Sequence, residues 1–277
     1  MKSPLTARFW HSRVVLITGS SRGIGLQMAR CLLPLGACVV ITARQTESLT
    51  EAEKRLRQEF PEGQMSFFAA DLTNPQEAAL LVAHTLETWG HLNLLVHNAG
   101  LSMRGSVEQT VPEVVRQVIE VNFLAAYWLT REAGAALRAS GGHVEFVSSQ
   151  AGLRGFANVV PYSAAKMSLT ALSQGLRAEW KTVTAGVAYL GFVENDPQKT
   201  LLQADGSTTT YQRPWKMKQQ EAARFVLWAA QHKKKKAVST FLGKLLALLQ
   251  AWLPDVVDWV ISRGAGRLHR VTKNAKI

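Results

Sequence analysis

Short, continuous apolar runs alternate with longer amphipathic ones through the first two-thirds of this chain. Residues 13–18 (RVVLIT), 37–43 (ACVVITA), 65–70, 93–97 (NLLVH), 143–148 (HVEFVS) and 183–190 have the length and β-branched content of buried strands. Residues 23–35, 45–60, 74–89, 111–139, 162–180 and 219–231 carry the spacing of helices. A strand that is apolar at successive positions needs cover on both faces, which is the situation of a parallel sheet between helical layers. Right-handed crossovers then wind the chain twice about such a sheet. The expected fold is α/β, with a doubly wound, mostly parallel sheet.

After Gly191 the texture changes. Residues 192–213 are polar, with Pro197, Gly206 and a threonine run, and read as a loop that acts as a lid. Residues 237–240 read as a last edge strand. Residues 241–253 form a strongly apolar helix cut by Pro254, followed by a basic tail. The expected division is a catalytic domain at 1–240 and a C-terminal helical extension at 241–277. Net charge is +12, but ten Lys/Arg against two acids lie from Gln231 onward, so the basic character belongs to that end. No nucleic-acid recognition motif accompanies it. Cys31 and Cys38 have neither disulfide-framework nor metal-ligand spacing, which points to a reducing, cytoplasmic setting and no metal site. Residues 1–13 lack the apolar stretch of a signal peptide, and no run of about 18 apolar residues predicts a membrane span.

The first strand opens into Thr18-Gly19-Ser20-Ser21-Arg22-Gly23-Ile24-Gly25 and then a helix. Glycines in that position let the backbone approach a pyrophosphate, and the helix N-terminus supplies N–H groups and partial positive charge. The architecture is therefore Rossmann-like. An acid at the end of the second strand would bind the ribose hydroxyls of NAD; here Ala43 is followed by Arg44, and Arg22 stands in the glycine turn. Two cations and no acid favour a 2′-phosphate, hence NADP(H).

Tyr162 and Lys166 are four apart and share one helix face. A phenol is a poor base at neutral pH, and a neighbouring ammonium favours its ionised form, as a proton-transfer group requires. Ser149, at the end of the fifth strand, is placed to donate to a substrate oxygen, with Ser148 as its competitor.

With TGSSRGIG at 18–25, Asp71-Leu72 after the third strand, Asn98-Ala99-Gly100 after the fourth and Tyr162-Ser-Ala-Ala-Lys166 after the fifth, the chain resembles the short-chain dehydrogenase/reductase family over roughly residues 13–195. The resemblance implies that Tyr162 is the acid/base, that Lys166 also binds the nicotinamide ribose, and that Ser149 and Asn122 complete the catalytic set. It places Gly19, Ser21, Arg22, Gly23, Ile24, Gly25, Arg44, Asp71, Leu72, Asn98, Ala99, Gly100, Val193 and Asn195 at the cofactor, with Asp71 and Leu72 flanking the adenine. The chain departs from the family pattern at His97, where an asparagine is usual, and at Leu190 and Asn195, where proline and threonine are usual.

The implied reaction interconverts a ketone and a secondary alcohol. Val193 and Trp215, with Leu153, Phe156 and Val159 on the segment before Tyr162, read as apolar pocket walls, and Arg154 as a candidate carboxylate clamp. These point to an apolar, lipid- or steroid-like substrate. Three readings of residues 241–277 stand side by side: peripheral membrane contact, a cover over the pocket, and an oligomer contact. A homodimer through the helices carrying Asn122 and Tyr162 is a further expectation. The rival functional readings are a catalytically silent nucleotide-binding regulator and a membrane-associated interaction protein on the same fold.

Overall fold

A computed structural model of the chain describes residues 4–197, 199–210 and 215–261. The N-terminal turn α1 (Ala7–Trp10) precedes β1 (Val14–Ile17), α2 (Gly23–Leu32), β2 (Cys38–Ala43), α3 (Thr46–Glu59), β3 (Met65–Ala69), α4 (Pro75–Trp89) and β4 (Leu94–His97). The short strand β5 (Ser102–Arg104) leads into α5 (Pro112–Ile119) and α6 (Ala125–Ser140). Then come β6 (His143–Ser149), α7 (Val160–Glu179), β7 (Thr184–Leu190), β8 (Thr200–Gln203), β9 (Thr208–Thr210), α8 (Gln219–Gln231), β10 (Lys236–Val238) and α9 (Phe241–Trp252).

Seven strands form a parallel sheet in the order β10-β7-β6-β4-β1-β2-β3. Chain order reverses between β1 and β4, so the loops leaving these two strands diverge and open a crevice at their carboxyl ends. Successive side chains alternate between two cores. Val15, Ile17, Val39 and Ile41 pack with α2, α3 and α8 on one face. Val14, Leu16, Val40 and Leu95 pack with α4, α6 and α7 on the other. The doubly wound fold expected from the apolar runs is the fold observed.

Local chemistry sets the element ends. In α4 the Asn74 side chain caps Gln76 N–H, Pro75 opens the first turn, and Gly90 stops the helix in the left-handed region at φ 76°. The Trp10 indole N–H donates to Gln231 Oε1 at 2.9 Å, so α1 is stitched to α8. Its four residues are too few to show a periodicity, and no element was expected there.

Two expectations need correction. The stretch 111–139 is not one regular helix: a π-turn at Glu120–Leu124 separates α5 from α6. The stretch 192–213 is not all loop. β8 pairs parallel with β5 and antiparallel with β9, forming a second sheet of three strands. Met103 of β5 and Leu202 of β8 pack there with Val114, Val118 and Ala165 in a small third core. Residues 198 and 211–214 of the expected lid, and 262–277 of the expected tail, lie outside the described residues.

Candidate active site

A cleft of about 420 Å³ opens at the carboxyl ends of the central strands. Gly19, Ser21, Arg22, Gly23, Ile24, Arg44, Asp71, Leu72, Asn98, Ala99, Gly100, Asn122, Ser149, Tyr162, Lys166, Val193 and Asn195 all line it. Gly25 does not. It is buried beneath the turn, where a Cβ would stand 2.5 Å from the Gly19 carbonyl oxygen and 2.7 Å from Asn98 Nδ2. Its part is to let α2 close on β1.

The two ends of the reversal are locked together. Asn98 Nδ2 donates to the carbonyls of Thr18 (2.9 Å) and Gly19 (3.0 Å). Thr18 Oγ1 accepts from the backbone N–H groups of Asn98 and Ala99, both at 2.9 Å. The glycine turn is thus held by β4 as well as by its own strand. Arg22, at the N-cap of α2, supplies no side-chain cap, and the first turn carries no acid. On the far side of the cleft mouth, the Asp71 carboxylate accepts from the N–H and hydroxyl of Thr73 (3.0 and 2.7 Å) and so shapes the turn after β3.

At the other end, Lys166 projects from α7 and is buried. Its Nζ donates to the Val147 carbonyl at 3.2 Å and stands 5.9 Å from the centre of the Tyr162 ring. Burial brings the ammonium down to about 7, and the charge of Lys199 pushes the same way. Asn122 sits in the π-turn, where the regular ladder is interrupted. Its Nδ2 donates to the carbonyls of Val118 (2.9 Å) and Leu101 (2.8 Å), and its Oδ1 accepts from Leu101 N–H at 3.2 Å. Both side chains close on Gly100. A Cβ there would stand 2.9 Å from Asn122 Oδ1 and 3.2 Å from Lys166 Nζ, so the backbone must pass without a side chain.

Adjacent serines end β6 and face opposite ways. Ser148 is buried, and its hydroxyl donates to the Lys166 carbonyl at 3.1 Å, anchoring α7. Ser149 is only half-buried; its Oγ accepts from Ala151 N–H at 3.2 Å, which leaves the hydroxyl able to donate. A site with a hydroxyl donor, a phenol, an amine that titrates near neutrality and an anion-binding turn can move a proton to or from an oxygen beside a bound dinucleotide.

The profile of the short chain dehydrogenase family matches residues 13–206. This chain belongs to the short-chain dehydrogenase family. It is 31% identical over 201 residues to dehydrogenase/reductase SDR family member 7B of Bos taurus, covering 70% of this chain and 62% of that one. It is 36% identical over 166 residues to L-fucose dehydrogenase of Bos taurus, covering 59% of each. The chain therefore spans about three-fifths of the length of these two relatives. Two solved structures share the fold: a short-chain dehydrogenase from Streptomyces avermitilis (TM-score 0.76, 24% identity, 91% of this chain and 97% of that one), and an alcohol dehydrogenase from the archaeon Thermococcus sibiricus complexed with 5-hydroxy-NADP (TM-score 0.71, 22% identity, 82% and 95%).

In this short-chain dehydrogenase the unusual His97 is absorbed into the core. Its Nε2 bonds Thr130 Oγ1 at 2.7 Å, and its ring stacks on Phe146 with centroids 4.9 Å apart. Burial, reinforced by the Lys166 charge, lowers it to about 3, so it stays neutral. The expected pocket walls fare less well. Trp215 is 46% exposed and lies off the cleft. Leu153 packs against the core beneath α6 and α7, and Val159 against the small third core. Phe156 does not line the cleft either; the Arg154 guanidinium stands 5.8 Å over its ring. Arg154 itself is ion-paired with Asp258 at 2.7 Å and is not among the residues that line the cleft. Lys199 and Thr200 are cleft residues that the reading of 192–213 as a loop did not single out; β8 carries them back to the site. A lysine within a lid was their one sequence signal.

Proposed function

We propose that this short-chain dehydrogenase is an NADP(H)-dependent oxidoreductase that interconverts a ketone and a secondary alcohol on an apolar, lipid- or steroid-like substrate. The observation that carries the reading is the convergence of Asn122 and Lys166 on Gly100, in the cleft that Ser149 and Tyr162 share with the glycine turn. The residues present fit a dinucleotide: the N-terminus of α2 favours a diphosphate, and Arg22 and Arg44 line the cleft where β2 ends without an acid. The arginine pair supports NADP(H) over NAD.

The nicotinamide supplies or accepts the hydride when bound. Tyr162 gives its phenolic proton to the substrate oxygen in reduction and takes it back in oxidation. Ser149 donates to the same oxygen and stabilises charge that develops there. The Lys166 ammonium stabilises the phenolate that Tyr162 becomes. Asn122 holds the backbone at Leu101, and with it the floor on which Lys166 rests.

Residues 1–240 form the catalytic domain in this reading and 241–277 an extension. Free Cys31 and Cys38 support a cytoplasmic, reducing setting. Exposed Val115, Tyr127, Val160 and Met167 support a homodimer through the helices flanking Asn122 and Tyr162. The test is NADPH consumption with a panel of apolar ketones, for the wild type and Tyr162→Phe. The variant should lose roughly 10²–10⁴-fold; equal rates in both would overturn the mechanism. Arg44→Asp should raise the KM for NADPH by about 10²-fold and leave NADH little affected; an unchanged ratio would overturn the NADP(H) assignment.

A further inference from the structure

Among the described residues, nine of the seventeen large apolar side chains that stand exposed fall within 241–261. Phe241, Leu245, Leu248 and Trp252 follow one another at intervals of four, three and four, so α9 presents them as a single stripe. A second helix, 254–261, adds Val256, Trp259 and Val260. The buried residues of this segment are Gly243 and Val257. An apolar surface this continuous marks a contact face.

Charge selects the occupant. Residues 241–253 contain Lys244 and no acid. The second helix carries two acids, Asp255 and Asp258, the latter ion-paired with Arg154 at 2.7 Å. The sixteen residues that follow, 262–277, carry five Lys/Arg and no acid. A second copy of so basic a segment would be repelled, whereas a negatively charged surface would be attracted. Trp252 (77% exposed) and Trp259 (56% exposed) are side chains suited to a boundary between water and lipid. At twelve residues α9 is about 18 Å long, against a hydrocarbon core of about 30 Å. No described helix is long and apolar enough to cross a membrane.

We propose that the helices of 241–261 lie in the plane of an anionic lipid surface, with the Phe241/Leu245/Leu248/Trp252 stripe at the headgroup boundary, drawn there by the excess of six Lys/Arg over two acids in the sequence 241–277. The docking face is built onto the substrate side of the fold. Gln150, next to Ser149, donates from Nε2 to Thr240 Oγ1 at 2.8 Å, and that oxygen caps α9 by accepting from Gly243 N–H at 3.0 Å. Arg154, four residues on, is tied to the second helix through Asp258.

The test is co-sedimentation of the full chain with phosphatidylcholine vesicles, with and without phosphatidylserine. The protein should sediment with the phosphatidylserine vesicles and be released by high salt. Trp252→Glu and Leu248→Glu should each weaken partitioning about tenfold or more, with the melting temperature unchanged because both side chains are exposed. Equal sedimentation with both vesicle types would overturn the proposal, as would variants that partition like the wild type. A wild-type oligomer that Trp252→Glu dissociates, with no vesicle binding, would assign the face to a second copy instead. Sedimentation requires no turnover, so a failed ketone panel would sink the proposed reaction and leave this result standing.

Discussion

Strand β6 buries ionisable groups at both ends, to opposite effect. At its start, His143 and Glu145 face each other: His143 Nε2 and Glu145 Oε2 are 2.9 Å apart, and His143 Nδ1 bonds Thr184 Oγ1 at 2.8 Å. Burial raises the Glu145 carboxyl well above its ordinary range. Burial first, then the Lys233 charge, lowers His143 to about 3, against the opposing effect of the Thr184 backbone. Burial thus works against the charged form of each partner. At the end of the strand Lys166 is as deeply buried, yet its ammonium is brought only to about 7, and it borders an open cleft. Burial alone shifts an ionisation in either place. What separates a site from a packed polar pair is access, and a phenol and hydroxyl lining the same cleft.

The comparison can be broken by exchanging which property each residue controls. The largest expected effect is that of Lys166→Met, a loss of roughly 10²–10⁴-fold in kcat/KM. Stability should move the other way. Lys166 titrates lower in the fold than in the unfolded chain, so its contribution is complete above about 10.5 and lost as pH falls through about 7. Melting at pH 6 should thus occur at the same or a higher temperature in the variant. A large drop in melting temperature would make Lys166 structural, like Glu145.

Glu145→Gln should do the converse. A carboxyl whose ionisation is raised contributes its stability in full below about 4.5, and loses it as pH rises through the raised value. The variant should keep wild-type turnover and flatten the decline in melting temperature measured from pH 5 to pH 9, a change of a few degrees. Altered turnover with an unchanged melting profile would remove the distinction between the two ends. The smallest effect is that of Lys199→Ala. Without that charge Lys166 ionises at higher pH, so the alkaline limb of kcat/KM for reduction should move upward from about 7 by less than about one pH unit. A fixed limb would show that Lys199 does not act on Lys166.

Much of this molecule could be read from residue order because its strands are buried on both faces. Runs such as VVLI and CVVITA leave no other conformation that covers them, and the strands found differ from those expected by a residue or so at each end. Most of the residues assigned to the cleft came together for a related reason: they sit just past the carboxyl end of a strand, where a doubly wound sheet gathers its loops, while Asn122 reaches it from the π-turn and Tyr162 and Lys166 from α7. What escaped was what depends on distant partners. Thr200–Gln203 and Thr208–Thr210 are short, and acquire strand geometry only by pairing, the first with Ser102–Arg104 about a hundred residues earlier and the second with the first. The walls assigned to Leu153, Phe156, Val159 and Trp215 failed because apolar character says that a side chain is covered but not by what. The burial of Glu145 likewise depends on a distant segment, since residues 233–236 close over that side of the sheet.

The π-turn at Glu120–Leu124 bears on how this protein tolerates insertion and deletion. Each residue of an α-helix advances the side-chain direction by about 100°. The wider turn offsets α6 from α5, so Val114 and Val118 serve the small third core while Leu129, Ala133 and Leu137 serve the face of the main sheet. Loss of one residue from 120–124 would restore a regular ladder and take Asn122 off the Leu101 backbone, the contact that the wider turn makes possible. A stretch with the outward look of an ordinary helix is thus less tolerant of a change in length than the exposed turn at Asp205–Ser207.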